Sequence, residues 1–283
     1  MMSEEVIANF LRVPVHLEHF MRRGWRICTR GYASALLPRD LRSLALITTG
    51  TVSLYLIALP HPSMLYHLIR QQSTVKLYVI FNVLDVADRL LTSLGADVMR
   101  MRGLTTFSFV YISLHSSLLF VHLFTLIAAI NAKGSNALLA LLLSTQFVVL
   151  KGSVFKKFDM NGLMQLSGQD VVERFQLFIY LVCMAALLLP EDGGMLVSIM
   201  DSLKVTMAVV GSELFVDWVK HMFICKFNSL DGDVYRRFEP SAITFVPYPI
   251  VCVTWRVFLL IGFKAKLFMI GLLLVMQMVE TVV

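Results

Sequence analysis

Long apolar stretches without charged residues alternate along this chain with short polar connections. The longest, residues 104–132, contains no Lys, Arg, Asp or Glu over 29 positions. A helix needs about 20 apolar residues to cross the hydrocarbon core of a bilayer. The pattern therefore predicts a membrane-spanning helix here.

Six further apolar blocks accompany this one. Pro60 and Pro62 close the first of them, because proline cannot continue a helix. The block at 137–150 has only 14 residues, the length of a re-entrant or tilted segment. We therefore predict an all-α, polytopic membrane helical bundle with six to seven membrane segments. The additional blocks are residues 44–59, 137–150, 175–190, 195–218, 245–263 and 267–279.

Residues 76–94 show a different pattern, with apolar side chains at helical spacing and a polar stripe opposite. This amphipathicity predicts a helix that lies in the membrane interface. Asp85 and Arg89 are spaced to form an ion pair at i, i+4. The alternative is a partner-binding helix that uses Lys76, Asn82, Asp85 and Arg89.

The composition agrees with a membrane protein, since 57% of the residues are hydrophobic and 16% are charged. Soluble domains average about 25% charged residues. An ordinary soluble enzyme, a disordered chain and a fibrous repeat are thereby excluded. Seven of the 25 Lys and Arg residues lie in the first 42 positions. We predict a basic interfacial segment over 1–43 that meets anionic lipid headgroups rather than nucleic acid, followed by a single membrane-helix domain over 44–283.

The distribution of Lys and Arg among the loops predicts the orientation. Residues 151–174 and 220–245 carry four each, whereas the turn 191–194 carries none. The two basic loops are therefore expected on the cytosolic side. Residues 61–103 carry five and the N-terminal segment seven, and a single span between them cannot place both inside. The side of the N-terminus stays open.

Four ionisable residues, Glu213, Asp217, Lys220 and His221, fall on one face near the end of an apolar block. Arg256, midway along the next block, is predicted to pair with Glu213 or Asp217, because an unpaired charge is costly in a membrane. The functional interpretation is an ion or proton path. We favour the alternative, a structural set of ion pairs.

A second charged group, Lys151, Lys156 and Lys157, is predicted to hold anionic lipid headgroups, since the spacing of a phosphate-binding loop is absent. His115 and His122 share a face of the longest block, where interhelical hydrogen bonds are expected. Two histidines are too few for a metal site. No catalytic motif is present, so we expect neither an enzyme nor a bound cofactor or metal.

Three blocks carry a resemblance to a known family. They are residues 64–98, residues 130–176 with the string KGSVFKKF, and residues 212–238 followed by FVPYP. Together they resemble the transmembrane anterior posterior transformation family of eukaryotic membrane proteins. The resemblance implies a multi-pass protein of the endoplasmic reticulum membrane, with a SUN-like luminal protein as partner in protein quality control. It also implies roles in ciliogenesis and development.

Two function classes follow from these observations. The first is a non-enzymatic scaffold that holds a partner subunit in a folding or quality-control complex of the endoplasmic reticulum. The second is a transporter or channel for ions, protons or lipids that uses the intramembrane charges. The scaffold is the main prediction.

Overall fold

The structure, a computed structural model, describes residues 2–57, 62–100, 106–130, 152, 156–189, 195–237, 239–240, 243 and 245–282. Within these ranges the chain forms helices joined by short connections, and they contain no strand. The predicted all-α fold is confirmed for this part of the protein. The short apolar block 137–150 and Lys151 lie outside the described residues.

Ten helices are described, and prolines in the sequence account for two of their boundaries. The second helix ends before Pro60 and the ninth begins at Pro247, positions where proline is respectively a stop and a favourable start. In chain order the helices are α1 (Met2–Leu36), α2 (Leu41–Ile57), α3 (Pro62–Arg70), α4 (Thr74–Arg100), α5 (Thr106–Ile130), α6 (Met160–Leu187), α7 (Met195–Phe227), α8 (Val234–Arg237), α9 (Pro247–Leu260) and α10 (Phe263–Val282).

Helix α5 contains the one described segment that is both long and apolar enough to cross a membrane, Thr106–Ala128. Its 23 residues extend over about 34 Å, slightly more than a hydrocarbon core. Shorter apolar segments occur in α2 (Leu41–Leu56) and α9 (Pro247–Leu260). The span predicted from the charge-free block is therefore a single helix of membrane length.

The described chain divides into two compact units. Unit 1 comprises residues 2–28, 152–175 and 206–243, and unit 2 comprises residues 29–130, 176–205 and 245–282. This division does not follow the predicted boundary at residue 43, which stays a prediction.

In unit 1, the first part of α1 packs against α7 and the turn before α8. Phe10 meets Phe223 edge to face, with ring centroids 5.8 Å apart. The Asn9 side chain accepts a hydrogen bond from the Gly232 amide (2.8 Å) and donates one to the Leu230 carbonyl (3.2 Å). Residues of α1 on this side are buried, among them Val13, Leu17 and Phe20. Most of the predicted interfacial segment is thus a helix with a packed face.

In unit 2, α4 runs antiparallel to α5. Phe81 contacts His122 and Asp88 contacts His115, so residue numbers fall on α5 as they rise on α4. Gly95 allows the two helices to approach closely, because a Cβ added there would collide with the Tyr111 hydroxyl. The helix predicted over 76–94 exists, but one side of it packs along the membrane-length helix.

Candidate functional site

Facing positions on α6 and α7 bring a set of charges together inside unit 1. Asp170 and Arg174 are one turn apart on α6, and Asp217, Lys220 and His221 share a face of α7. The two helices run antiparallel at this point, since Arg174 contacts Asp217 and Asp170 contacts His221. We name the group formed with Glu18 of α1 the ion-pair network: Glu18, Asp170, Arg174, Asp217, Lys220 and His221.

Lys220 occupies the middle of the network. Its ammonium nitrogen lies 2.8 Å from Asp217 Oδ1 and 2.7 Å from Asp170 Oδ2. All three side chains are at most 3% exposed. Burial alone would lower the pKa of the Lys220 ammonium, but the two carboxylates raise that pKa above its usual range. Lys220 is therefore held charged.

Arg174 extends the network from α6 to α1. Its Nε donates to Asp217 Oδ2 at 2.7 Å and its Nη1 donates to Glu18 Oε1 at 2.9 Å. The indole nitrogen of Trp218 donates to the same Glu18 oxygen at 2.8 Å. Burial opposes the charge, yet Asp217 and Glu18 raise the Arg174 pKa. Three helices are thus tied by charge-assisted hydrogen bonds, which are stronger than neutral ones.

His221 joins the network to α8. Its Nε2 lies 2.7 Å from Asp170 Oδ2 and its Nδ1 lies 2.8 Å from the Tyr235 hydroxyl. Burial alone would raise the pKa of the Asp170 carboxyl, but the charge on Lys220 and the hydrogen bond from His221 hold that pKa below its usual range. Asp170 is therefore ionised, and its Oδ2 is engaged by both neighbours.

The sequence predicts a charged group of five residues, and the network contains three of them: Asp217, Lys220 and His221. Glu213 lies one turn before Asp217 on α7 and is half-buried. The predicted pairing of Arg256 with Glu213 or Asp217 stays a prediction. Both oxygens of the Asp217 carboxylate are bonded, one by Arg174 and one by Lys220. In unit 2 the Arg256 guanidinium lies over the Tyr55 ring, 3.7 Å from its centroid, an attractive cation–π arrangement.

The sequence does not identify Glu18, Asp170 and Arg174 as members, nor Tyr235 as the partner of His221. In the sequence, Arg174 belongs to the basic loop 151–174 and Glu18 to the basic N-terminal segment. The sequence contains one signal for two of these residues: Asp170 and Arg174 are four residues apart, immediately before an apolar block. Their spacing placed both on one face of the helix that precedes α7.

A second polar cluster lies in unit 2. His115 Nε2 is 2.7 Å from Asp88 Oδ1, and His115 Nδ1 is 2.8 Å from the Tyr111 hydroxyl. Gln176 donates to Asp88 Oδ2 at 2.6 Å. His122 contacts the rings of Phe81 and Tyr180. The interhelical hydrogen bond predicted for His115 is confirmed, and the described residues include no group of three metal-ligating side chains.

The remaining predicted residues lie at the surface or in partly exposed positions. Lys156, Lys157 and Lys76 are exposed, and Asn82 is half-buried. Asp85 and Arg89 form the predicted ion pair, with Arg89 Nε 3.2 Å from Asp85 Oδ2. Headgroup binding by the lysines and partner binding by α4 stay predictions.

Comparison with known proteins places the chain among membrane proteins. A model described as the eukaryotic membrane protein family matches residues 36–244. Endoplasmic reticulum membrane protein 65 of Schizosaccharomyces pombe is 40% identical over 70% of this chain and 34% of that protein. The human transmembrane anterior posterior transformation protein 1 homolog is 34% identical over 84% of this chain and 50% of that protein.

The chain spans about a third to a half of the length of these relatives. No solved structure matches it. The family match covers residues on both units, including those of the ion-pair network on α6 and α7. The chain belongs to the eukaryotic membrane protein family, with the transmembrane anterior posterior transformation proteins among its relatives.

Proposed function

We propose that this chain is a non-enzymatic, multi-pass protein of the endoplasmic reticulum membrane that acts as a scaffold for a partner subunit. The name of the fission yeast relative supports this location. The proposal includes the six to seven membrane segments predicted from the apolar blocks. Lys156 and Lys157, exposed just before α6, would meet anionic headgroups of the cytosolic leaflet.

The proposal rests on one observation: the charged groups of the ion-pair network are already bonded to one another. Asp170, Asp217, Arg174 and Lys220 bind one another at 2.7–2.8 Å. A transport site needs charged groups that can exchange partners with a solute or with water. Charges that already bind one another across helices favour a fixed arrangement of those helices, which is what a scaffold requires.

The partner is proposed from the family resemblance as a SUN-like luminal membrane protein. The complex would protect or survey folding proteins, and the developmental and ciliary roles would follow from that activity. Purification of the tagged full-length protein from its own membranes in a mild detergent tests this proposal. We expect one luminal protein at about equal molar amount, measured by quantitative mass spectrometry.

The rival function is tested on the same preparation. Purified protein is reconstituted in liposomes that contain a pH-sensitive or ion-sensitive dye. The scaffold proposal expects fluxes equal to those of protein-free liposomes. A flux that depends on the parent protein and disappears in an Asp217→Asn variant would establish a transporter.

A further inference from the structure

Helix α4 has an apolar face on the side opposite to α5. Its members are separated by four, four, three and four residues, which keeps them on one side of a helix. Each is more than half exposed. The side chains are aliphatic: Val75, Val79, Val83, Val86 and Leu90. We call this set the valine stripe.

The contacts with α5 fix the level of the valine stripe. Phe81 lies beside His122, with ring centroids 4.7 Å apart, and Asp88 bonds His115 at 2.7 Å. The middle of the membrane-length segment Thr106–Ala128 lies between His115 and His122. Val83 and Val86 are therefore level with the middle of α5, where a bilayer would surround the bundle with hydrocarbon.

In the sequence, the charges of α4 favour an interfacial helix. In the structure, the charged residues of α4 at this level have partners. Asp88 is bonded by His115 and Gln176, and Asp85 is paired with Arg89 at 3.2 Å. Partnered charges are tolerated within membrane bundles. The helix has 27 residues, about 40 Å at the usual rise, which is sufficient to cross.

The loop charges agree with a crossing α4. If α2, α4 and α5 each cross, the basic N-terminal segment and the connection between α4 and α5, with Arg100 and Arg102, are on the same side, and Arg70 and Lys76 are on the other. Most of the positive charges are then on the cytosolic side, as expected. The conflict between residues 1–42 and 61–103, which arises when a single span separates them, disappears.

We propose that α4 crosses the membrane beside α5 and that its valine stripe contacts lipid acyl chains. Lipid is the occupant that fits, because the stripe is aliphatic over about four turns, carries no hydrogen-bonding group and lies level with a membrane-length helix.

Cysteine labelling in sealed microsomes tests the crossing. Gln71→Cys precedes α4 and Arg100→Cys ends it, and both native side chains are exposed. The four native cysteines are buried, so the parent protein gives the background. With a membrane-impermeant maleimide we expect Arg100→Cys to react at once and Gln71→Cys only after permeabilisation. If both react, or neither reacts, before permeabilisation, α4 does not cross.

Photocrosslinking identifies what covers the stripe. Benzoylphenylalanine is placed at Val83 or Val86 of the full-length protein in its membrane, with Phe81, which faces α5, as the matched control. We expect lipid adducts from the two stripe positions, seen as a mass increase of one phospholipid, and intrachain crosslinks from position 81. Crosslinks from the stripe to a second copy or to another protein would overturn the assignment to lipid.

Discussion

Lys220 shows at the scale of a single residue why we propose a structural role for the network. Its ammonium group is fully enclosed between Asp170 and Asp217. Removing one partner of a buried pair costs about 3–5 kcal/mol, because the other charge is left without compensation. We expect Lys220→Met to lower the free energy of unfolding in detergent by this amount. Lys157→Met, which removes an exposed lysine, should change it by less than about 0.5 kcal/mol. Equal effects would contradict the assignment.

Asp170 predicts how stability depends on pH. Its pKa is below the usual range in the folded protein, so near pH 4 the unfolded chain binds more protons than the folded one. The stabilisation is therefore complete above the unfolded pKa of about 4 and declines as the pH falls towards the folded value. The Lys220 pKa is raised, so the contribution of Lys220 to the stability of the protein persists to above about pH 10.

Melting curves of the parent and of Asp170→Asn in detergent measure this dependence. The parent should melt at the higher temperature at pH 7, and the difference should shrink in acid. A difference that stays constant from pH 7 to about pH 3 would show that Asp170 is not ionised in the folded protein.

The pairing of α4 with α5 depends at the element scale on Gly95. A side chain at this position would collide with the Tyr111 hydroxyl, and overpacking of this kind costs about 1–3 kcal/mol. We expect Gly95→Ala to destabilise the protein and Tyr111→Phe to relieve part of that loss. Gly211 in α7 has open space around it, so Gly211→Ala should be neutral or stabilise by up to about 1 kcal/mol. Thermal unfolding in detergent compares these variants. If Gly95→Ala matches Gly211→Ala, the helices do not approach as described.

The sequence predicts some helices more completely than others. The absence of charges over 104–132 is enough to predict α5, since a long apolar helix needs no knowledge of its neighbours. The spacing of Asp217, Lys220 and His221 likewise places them on one face. For α4, the spacing predicts an apolar face with a polar stripe opposite, but it does not give the element that packs against α4, because the contact of Asp88 with His115 joins residues 27 positions apart.

The partners of the buried charges could not be predicted for the same reason. Arg256 and Arg174 are both candidates for Asp217 by charge and by proximity to an apolar block. Only the antiparallel register of α6 and α7 brings Arg174 within 2.7 Å of that carboxylate. A sequence pattern specifies faces and lengths, whereas pairing depends on register between distant segments.

At the scale of the whole molecule, we propose that the buried charges stabilise the protein and do not perform its function. Neutralising one carboxylate together with its lysine removes one buried charge of each sign and should then preserve function. The Asp217→Asn/Lys220→Met pair leaves Asp170 bonded to His221 and Arg174 bonded to Glu18.

The most direct test is the amount of luminal partner that co-purifies with this double variant, expressed per molecule of folded protein and compared with the parent. The account predicts the same ratio for both, with more folded protein than Lys220→Met alone provides. A double variant that is as stable and abundant as the parent but retains no partner would contradict it, because the charges themselves would then be part of the function.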